Sequence, residues 1–208
     1  MTAACLSRRT GAIVLCGGHS RRMGKPKAWL PFGDDLLLPR IVRRLTPLLD
    51  PVIVVRAPGQ TIPELPENVV ITEDSVADRG PVQGLATGLA ALRGHVEAAF
   101  VSSTDAPFVT PHLVTLLDEI RGTSHDLVVP YAFGRHHPLA ALYALDVATE
   151  IERMLNENHL RLMDLLPRVR TLVVEEEQLR RVDPRLRFLA NVNTPEEYRA
   201  ALDESSDA

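Results

Sequence analysis

Two features of the chain predict an α/β fold with a mostly parallel central sheet flanked by helices. Short runs rich in Val, Ile, Leu and Ala (12–16, 52–55, 98–103, 127–130) alternate with helical stretches of about a dozen residues (36–49, 80–92, 111–120), the rhythm of βαβ units. The runs are continuously apolar rather than alternating, as strands covered on both faces require.

Each element follows from local signals. The first strand, AIVLC at 12–16, ends at Gly17-Gly18. Residues 36–49 read as a helix, with Pro39 near its start and Pro47 near its end. VIVV at 52–55 is a second buried strand, 59–68 a polar loop containing proline, and 69–72 a short strand. The segment 80–92 opens on Gly80-Pro81 and continues as a helix of small residues. Its Gly80, Gly84 and Gly88 recur every four residues and so share one face, suited to close packing on a sheet. AAFVSS at 98–103 is a strand that runs directly into Thr104-Asp105. A helix at 111–120 carries proline in its first turn. Strands at 127–130 and 139–145, helices at 147–157 and 160–166, a strand at 171–174 and a closing helix at 195–204 complete the chain. Thr194 with Glu197 forms a capping box for the last helix, and the polar tail after Asp203 is expected to fray. In such sheets ligands bind outside the carboxyl ends of the strands. Gly17-Gly18, Asp74, Asp105 and His137 all fall at or near those ends.

Composition narrows the function. With 208 residues, 45% hydrophobic and 24% charged, the chain is an ordinary globular protein, long enough to bury about 70% of its unfolded surface. A net charge of -4 gives no global basic footprint for nucleic acid. Cys5 and Cys16 form neither a disulfide framework nor a metal signature, which suits a cytoplasmic protein with reduced thiols. No secretory signal is expected at the start, and no stretch reaches the roughly 20 apolar residues that cross a bilayer.

Against this background one segment stands out. The chain has two lysines, Lys25 and Lys27, among 21 arginines. They sit in Leu15-Cys16-Gly17-Gly18-His19-Ser20-Arg21-Arg22-Met23-Gly24-Lys25-Pro26-Lys27. An ammonium is a compact point charge where a guanidinium is a planar fork. A glycine turn after a strand, followed by dense positive charge, suits a phosphate ligand. The segment is not a Walker A loop: five residues separate Gly18 from Gly24, and Pro26 stands where the hydroxyl would be. Adjacent glycines also rule out the dinucleotide fingerprint.

The segment resembles the signature loop of the molybdenum cofactor guanylyltransferases, L-x-G-G-x-S-x-R-M-G-x-x-K. Four further segments are similar and in the same order: 72–84 (TEDSVADRGPVQG), 103–108 (STDAPF), 137–143 (HPLAALY) and 191–197 (NVNTPEE). The resemblance spans roughly 11–200 and implies a single domain over 1–208 with a three-layer, Rossmann-like nucleotidyltransferase fold. It implies transfer of GMP from GTP to the phosphate of molybdopterin with Mg2+ as cofactor, releasing pyrophosphate. GTP, molybdopterin and cofactor-insertion or acceptor proteins are the implied partners; nucleic acid and membrane are not. Gly24-Lys25-Pro26-Lys27 with Leu30-Pro31-Phe32-Gly33 is also similar to the related cytidylyltransferases, and a nucleotide-binding sensor or assembly factor is a non-enzyme alternative.

Site residues follow from the resemblance. Lys27, Arg22 and Asp105 are the expected catalytic residues, with Asp105 the magnesium ligand or, alternatively, a turn or N-cap aspartate. Leu15, Cys16, Gly17, Gly18, Lys27, Arg56, Asp74, Gly84 and Asp105 are expected to line the nucleotide. Arg56 stands where the family tends to have asparagine. Asn191 and Asn193, alternating in an extended segment, are expected to point the same way and to contact the metal or the pterin; a turn role is the alternative. Arg161 is a pterin contact or a solvated helix arginine. His137 positions a substrate or bonds the backbone. Lys25 is auxiliary or merely on the surface.

Overall fold

The computed structural model describes residues 9–17, 23–76 and 79–206, the side chain of Ser206 excepted. The strand β1 (Thr10–Leu15) shows why the apolar runs are continuous. Its Ala12 and Val14 join one core cluster, and its Ile13 and Leu15 join another on the opposite face. After β1 come a 3-10 turn (Lys27–Trp29), a hairpin of β2 (Pro31–Phe32) and β3 (Asp35–Leu36), α1 (Leu37–Leu45), β4 (Val52–Arg56) and β5 (Val69–Glu73). They are followed by α2 (Gly80–Leu92), β6 (Ala98–Ser103), α3 (Pro111–Arg121), β7 (Leu127–Ala132), β8 (Arg135–His136) and β9 (Ala141–Ala144). The chain closes with α4 (Ala148–Asn156), β10 (Thr171–Glu175), α5 (Glu176–Leu179) and α6 (Pro195–Ser206).

The main sheet has eight strands in the order β10-β7-β9-β6-β1-β4-β5, with β8 paired to β7. Pairs β1–β4, β1–β6, β4–β5 and β7–β10 are parallel. The strand β9 runs antiparallel between β6 and β7. Helices α1, α3 and α5 cover one face through Leu38, Ile41, Leu113, Leu117 and Leu179. Helices α2 and α4 cover the other through Leu85, Leu89, Ile151 and Met154. The result is the expected three-layer, mostly parallel α/β sandwich.

Several element expectations change. The helix read at 36–49 is shorter, because Asp35–Leu36 pairs with Pro31–Phe32 before it and turns follow Leu45. The segment read as a helix at 160–166 is a 3-10 turn at Leu162–Arg168, with Pro167 inside it. The strand read at 139–145 is confined to Ala141–Ala144 by a 3-10 turn at Pro138–Ala140. The strand β5 is not buried on both faces: it is an edge, with Val70 46% and Ile71 47% exposed. The helix α6 continues past Asp203 to Ser206. Among the described residues no helix is long and apolar enough to cross a membrane.

Candidate active site

Parallel pairing aligns the carboxyl ends of β6, β1, β4 and β5 along one edge of the sheet. Hydrogen bonds stitch these ends together. Leu15 carbonyl accepts from the Thr104 amide at 3.0 Å and from its hydroxyl at 3.1 Å. The Cys16 amide donates to Val55 at 2.8 Å, and the Asp74 amide to Arg56 at 3.0 Å. Leu15, Cys16, Gly17, Arg56, Asp74 and Asp105 therefore lie along a connected ledge. A side chain at Gly17 would meet only Ala57, at ordinary distances of 3.7 Å and beyond, so local packing does not demand glycine there; a bare backbone leaves room for a ligand.

Lys27 is the hub. Its Nζ donates to Asp105 Oδ2 and to Asn193 Oδ1, each at 2.9 Å. Ser103 Oγ donates to the other Asp105 oxygen at 2.5 Å, and the Asp105 carbonyl accepts from the Val192 amide at 2.8 Å. Packing brings these distant residues together. Leu30, Phe32 and Leu37 form a small core with Val192 and Ala201, flanked by Met23, Phe108, Tyr198 and Leu202. Phe32 meets Phe108 edge-on at 5.7 Å, and the Tyr198 hydroxyl donates to the Pro31 carbonyl. The capping box forms as expected. Glu197 accepts from the Asn193 and Thr194 amides at 2.7 and 3.1 Å, while the Glu197 amide donates to Thr194 Oγ1 at 3.2 Å. That carboxylate fixes both the start of α6 and the Asn193 backbone.

Asp74 sits across the ledge. Thr87 Oγ1 donates to its Oδ1 at 2.8 Å, and its Oδ2 would be 3.6 Å from a Cβ placed on Gly84. Burial pushes this carboxyl above the usual range, and the Thr87 hydroxyl draws it part of the way back. Gly84 and Gly88 are both tight against β1. A Cβ on Gly84 would lie 3.0 Å from Leu15 Cδ2, and one on Gly88 would lie 2.6 Å from Ile13 Cγ2. Gly88 is thus a packing glycine, and Gly84 borders Asp74 as well. Gly80 serves a different need from its two partners: its φ is +67°, a turn conformation.

Other expected residues are placed differently. Arg56 is engaged within the protein, Nη2 on Glu73 at 3.0 Å and Nη1 on the Gln60 carbonyl at 2.9 Å. His137 is buried, and its ring nitrogen Nε2 lies 3.2 Å from the Ala132 carbonyl; burial pulls its imidazole below the usual value. This is the backbone bond of its second reading. Among the described residues Asn193 meets Lys27, whereas Asn191 makes no side-chain hydrogen bond. Arg161 and Lys25 are exposed. Gly18 and Arg22 lie outside the described residues.

Two contributors escaped sequence reasoning. Gln60 accepts from the Ala57 amide at 3.0 Å and donates to the Cys16 carbonyl at 3.1 Å, tying the β1 and β4 ends together. Ser103 orients Asp105. A glutamine in a polar loop carries no spacing signal, but Ser103 sits two residues before a strand-end aspartate, where side chains share a face.

The oxygens of Asp105 and Asn193, both within 2.9 Å of one ammonium, are hard donors of the kind magnesium takes. Among the described residues no three His, Cys, Asp or Glu side chains converge. The chemistry fits a cation that draws its remaining ligands from substrate phosphates and water, as magnesium commonly does.

A lysine-centred cluster and the bare backbone of Gly17 at the carboxyl edge of a mostly parallel sheet define an α/β protein that handles nucleotides. The family model described as MobA-like NTP transferase domain matches residues 12–172, and the chain belongs to that family. It is 38% identical over 198 residues to a probable molybdenum cofactor guanylyltransferase of Mycobacterium avium, covering 93% of this chain and 95% of that one. It is 35% identical to a protein of the same name from Methanosarcina mazei, over 89% of this chain and 87% of that one. Its fold is similar to that of molybdopterin-guanine dinucleotide biosynthesis protein A from Archaeoglobus fulgidus, with a TM-score of 0.77, 23% identity, and 95% and 100% coverage of the two chains.

Proposed function

We propose that the protein is a cytoplasmic, single-domain nucleotidyltransferase that transfers GMP from GTP to the terminal phosphate of molybdopterin. The observation that carries this reading is the meeting of Lys27 with Asp105 and Asn193. The attacking phosphate oxygen is already anionic, so the site needs alignment and charge neutralisation more than a strong base. The oxygen forms a bond to the α-phosphorus of GTP while the bond to the bridging oxygen breaks, and pyrophosphate leaves with that electron pair. Lys27 faces the charge that develops on the α-phosphate. Arg22 and Lys25 steady the triphosphate tail, and Leu15, Cys16, Gly17 and Gly18 bring backbone to it. Asp74 and Gly84 border the base and ribose. Asp105 and Asn193 would hold Mg2+ through their side-chain oxygens, and the ion would neutralise phosphate charge. Asn191 and Arg161 lie toward the pterin.

Replacing Lys27 with alanine should lower the rate of pyrophosphate release from GTP and molybdopterin about 10²–10³-fold, the usual cost of one transition-state donor. Turnover at the wild-type rate would sink the mechanism. Titration with GTP, CTP and ATP in magnesium should rank GTP tightest; tight CTP with weak GTP means cytidylyl transfer, and tight GTP without turnover means a sensor.

A further inference from the structure

On the face covered by α1 and α3, a cavity of about 590 Å³ opens between α1, the start of α3 and the 182–188 segment. None of Lys27, Asp105 and Asn193 lines it. Three arginines do: Arg40 and Arg44, one turn apart on α1, and Arg187. Arg40 Nε donates to the Pro107 carbonyl at 3.2 Å, and its guanidinium lies 4.8 Å from the Phe32 ring centre. Arg44 Nε donates to the Val109 carbonyl at 2.6 Å. Both arginines are held at one nitrogen, and among the described residues neither forms a salt bridge.

Two carboxylates share the lining, Asp34 and Asp183. Asp183 takes Arg187 Nε and the amides of Arg185 and Arg187. Asp35, just outside the lining, bonds Arg43. Asp34 is exposed to solvent. Burial lowers the pKa of Arg40 and Arg44; the charge of Asp35 offsets this in part at Arg40, and the charges of Arg40 and Arg187 add to it at Arg44. Like charges gathered in a half-buried cleft are relieved by an anion. The helix α3 adds to this, since its N-cap Thr110 and its first-turn His112 line the same cavity and bring the positive end of an 11-residue helix to it.

We propose that this cavity is a second anion site, distinct from the nucleotide loop, which binds a phosphate-class ligand through Arg40 and Arg44 at the start of α3. Guanidinium forks match tetrahedral oxyanions in pairs of hydrogen bonds, and the volume accommodates anything from orthophosphate to a small phosphorylated molecule. The same two guanidiniums hold the carbonyls of Pro107 and Val109, so the ligand would sit against the loop that begins at Asp105.

Amide NMR titration of the full chain with orthophosphate, and separately with pyrophosphate, tests the site. Saturating shifts are expected at Val109, His112 and Arg187 in wild type and equally in Lys27→Ala, which weakens binding at the nucleotide loop only. Whichever anion saturates at lower concentration identifies the size of the ligand. In Arg44→Gln the half-saturating concentration should rise tenfold or more, and Arg40→Gln gives the same readout if Arg44→Gln does not fold. Shifts confined to the 15–27 segment, shifts that climb without saturating, or unchanged binding in a folded variant overturn the proposal.

Discussion

At the scale of single residues, the resemblance to the family's signature segments singled out Lys27 and Asp105, and the structure brings the two within 2.9 Å. Asn193 was legible only as one of two candidates. Among the described residues Asn193 bonds Lys27 and Asn191 does not, and Glu197 holds the Asn193 backbone in place. Ser103 was missed, yet it donates directly to the Asp105 carboxylate. A hydrogen bond to a charged group contributes about 1.5–3 kcal/mol. Ser103→Ala should therefore lower the melting temperature by several degrees and, by freeing the Asp105 carboxylate, lower kcat roughly 10- to 100-fold, as paired kinetic and thermal measurements would reveal. His137 yields a pH prediction. Its imidazole is held below the usual 6.5 by burial, so the unfolded chain takes up that proton first as pH falls. The contribution of His137 to stability is full above about 6.5 and is lost below it, down to its folded value. Nitrogen-detected NMR should show the His137 ring still neutral at a pH where exposed histidines are half-charged. Titration alongside the exposed rings would disprove the assignment.

At the scale of elements, strands and long helices were readable from apolar periodicity, and the exceptions have specific causes. The tetrapeptide of β9, Ala-Leu-Tyr-Ala, is buried throughout and so carries no directional information. Its reversal follows from the hairpin before it, where Phe133 and Gly134 adopt φ of 53° and 72°; two successive positive angles make the tight turn that antiparallel strands need. Leu162–Arg168 had the apolar content of a helix, but Pro167 within it removes a donor. The contact of α2 with β1 is the tightest among the described glycines: Gly88→Ala places a methyl within 3 Å of three Ile13 atoms. Overpacking of this kind typically costs about 1–3 kcal/mol. Combining it with Ile13→Ala should give less than the sum of the separate losses, and additive urea midpoints would show that the clash is not the cause. In α6, Thr194→Ala removes an N-cap and should cost about 1 kcal/mol. The same substitution loosens the turn that presents Asn193, so its effect on KM for magnesium-bound nucleotide should exceed that of Glu196→Ala, a residue on the exposed side.

At the scale of the whole molecule, the alternation of strands and helices was enough to foresee three layers and the edge where the site lies. The sheet's outer boundary was not legible. Val70 and Ile71 look like core residues in sequence, and only the strand order shows that nothing pairs beyond β5 among the described residues. A lysine at position 70 should leave the unfolding midpoint within about 0.5 kcal/mol of wild type, as chemical denaturation would check, and blunt the exposed edge against self-association. The meeting of Lys27 with Asn193 has a consequence in time as well as in space. These partners are 166 residues apart in the chain, so the contact closes one of the longest loops the protein makes, and contacts of that kind come late. During synthesis the chain is extended from its first residues, and the nucleotide edge of β1, β4 and β6 can assemble while the asparagine is still within the ribosome. The lysine and aspartate then wait for their third partner, and the three groups meet only once residue 193 has emerged.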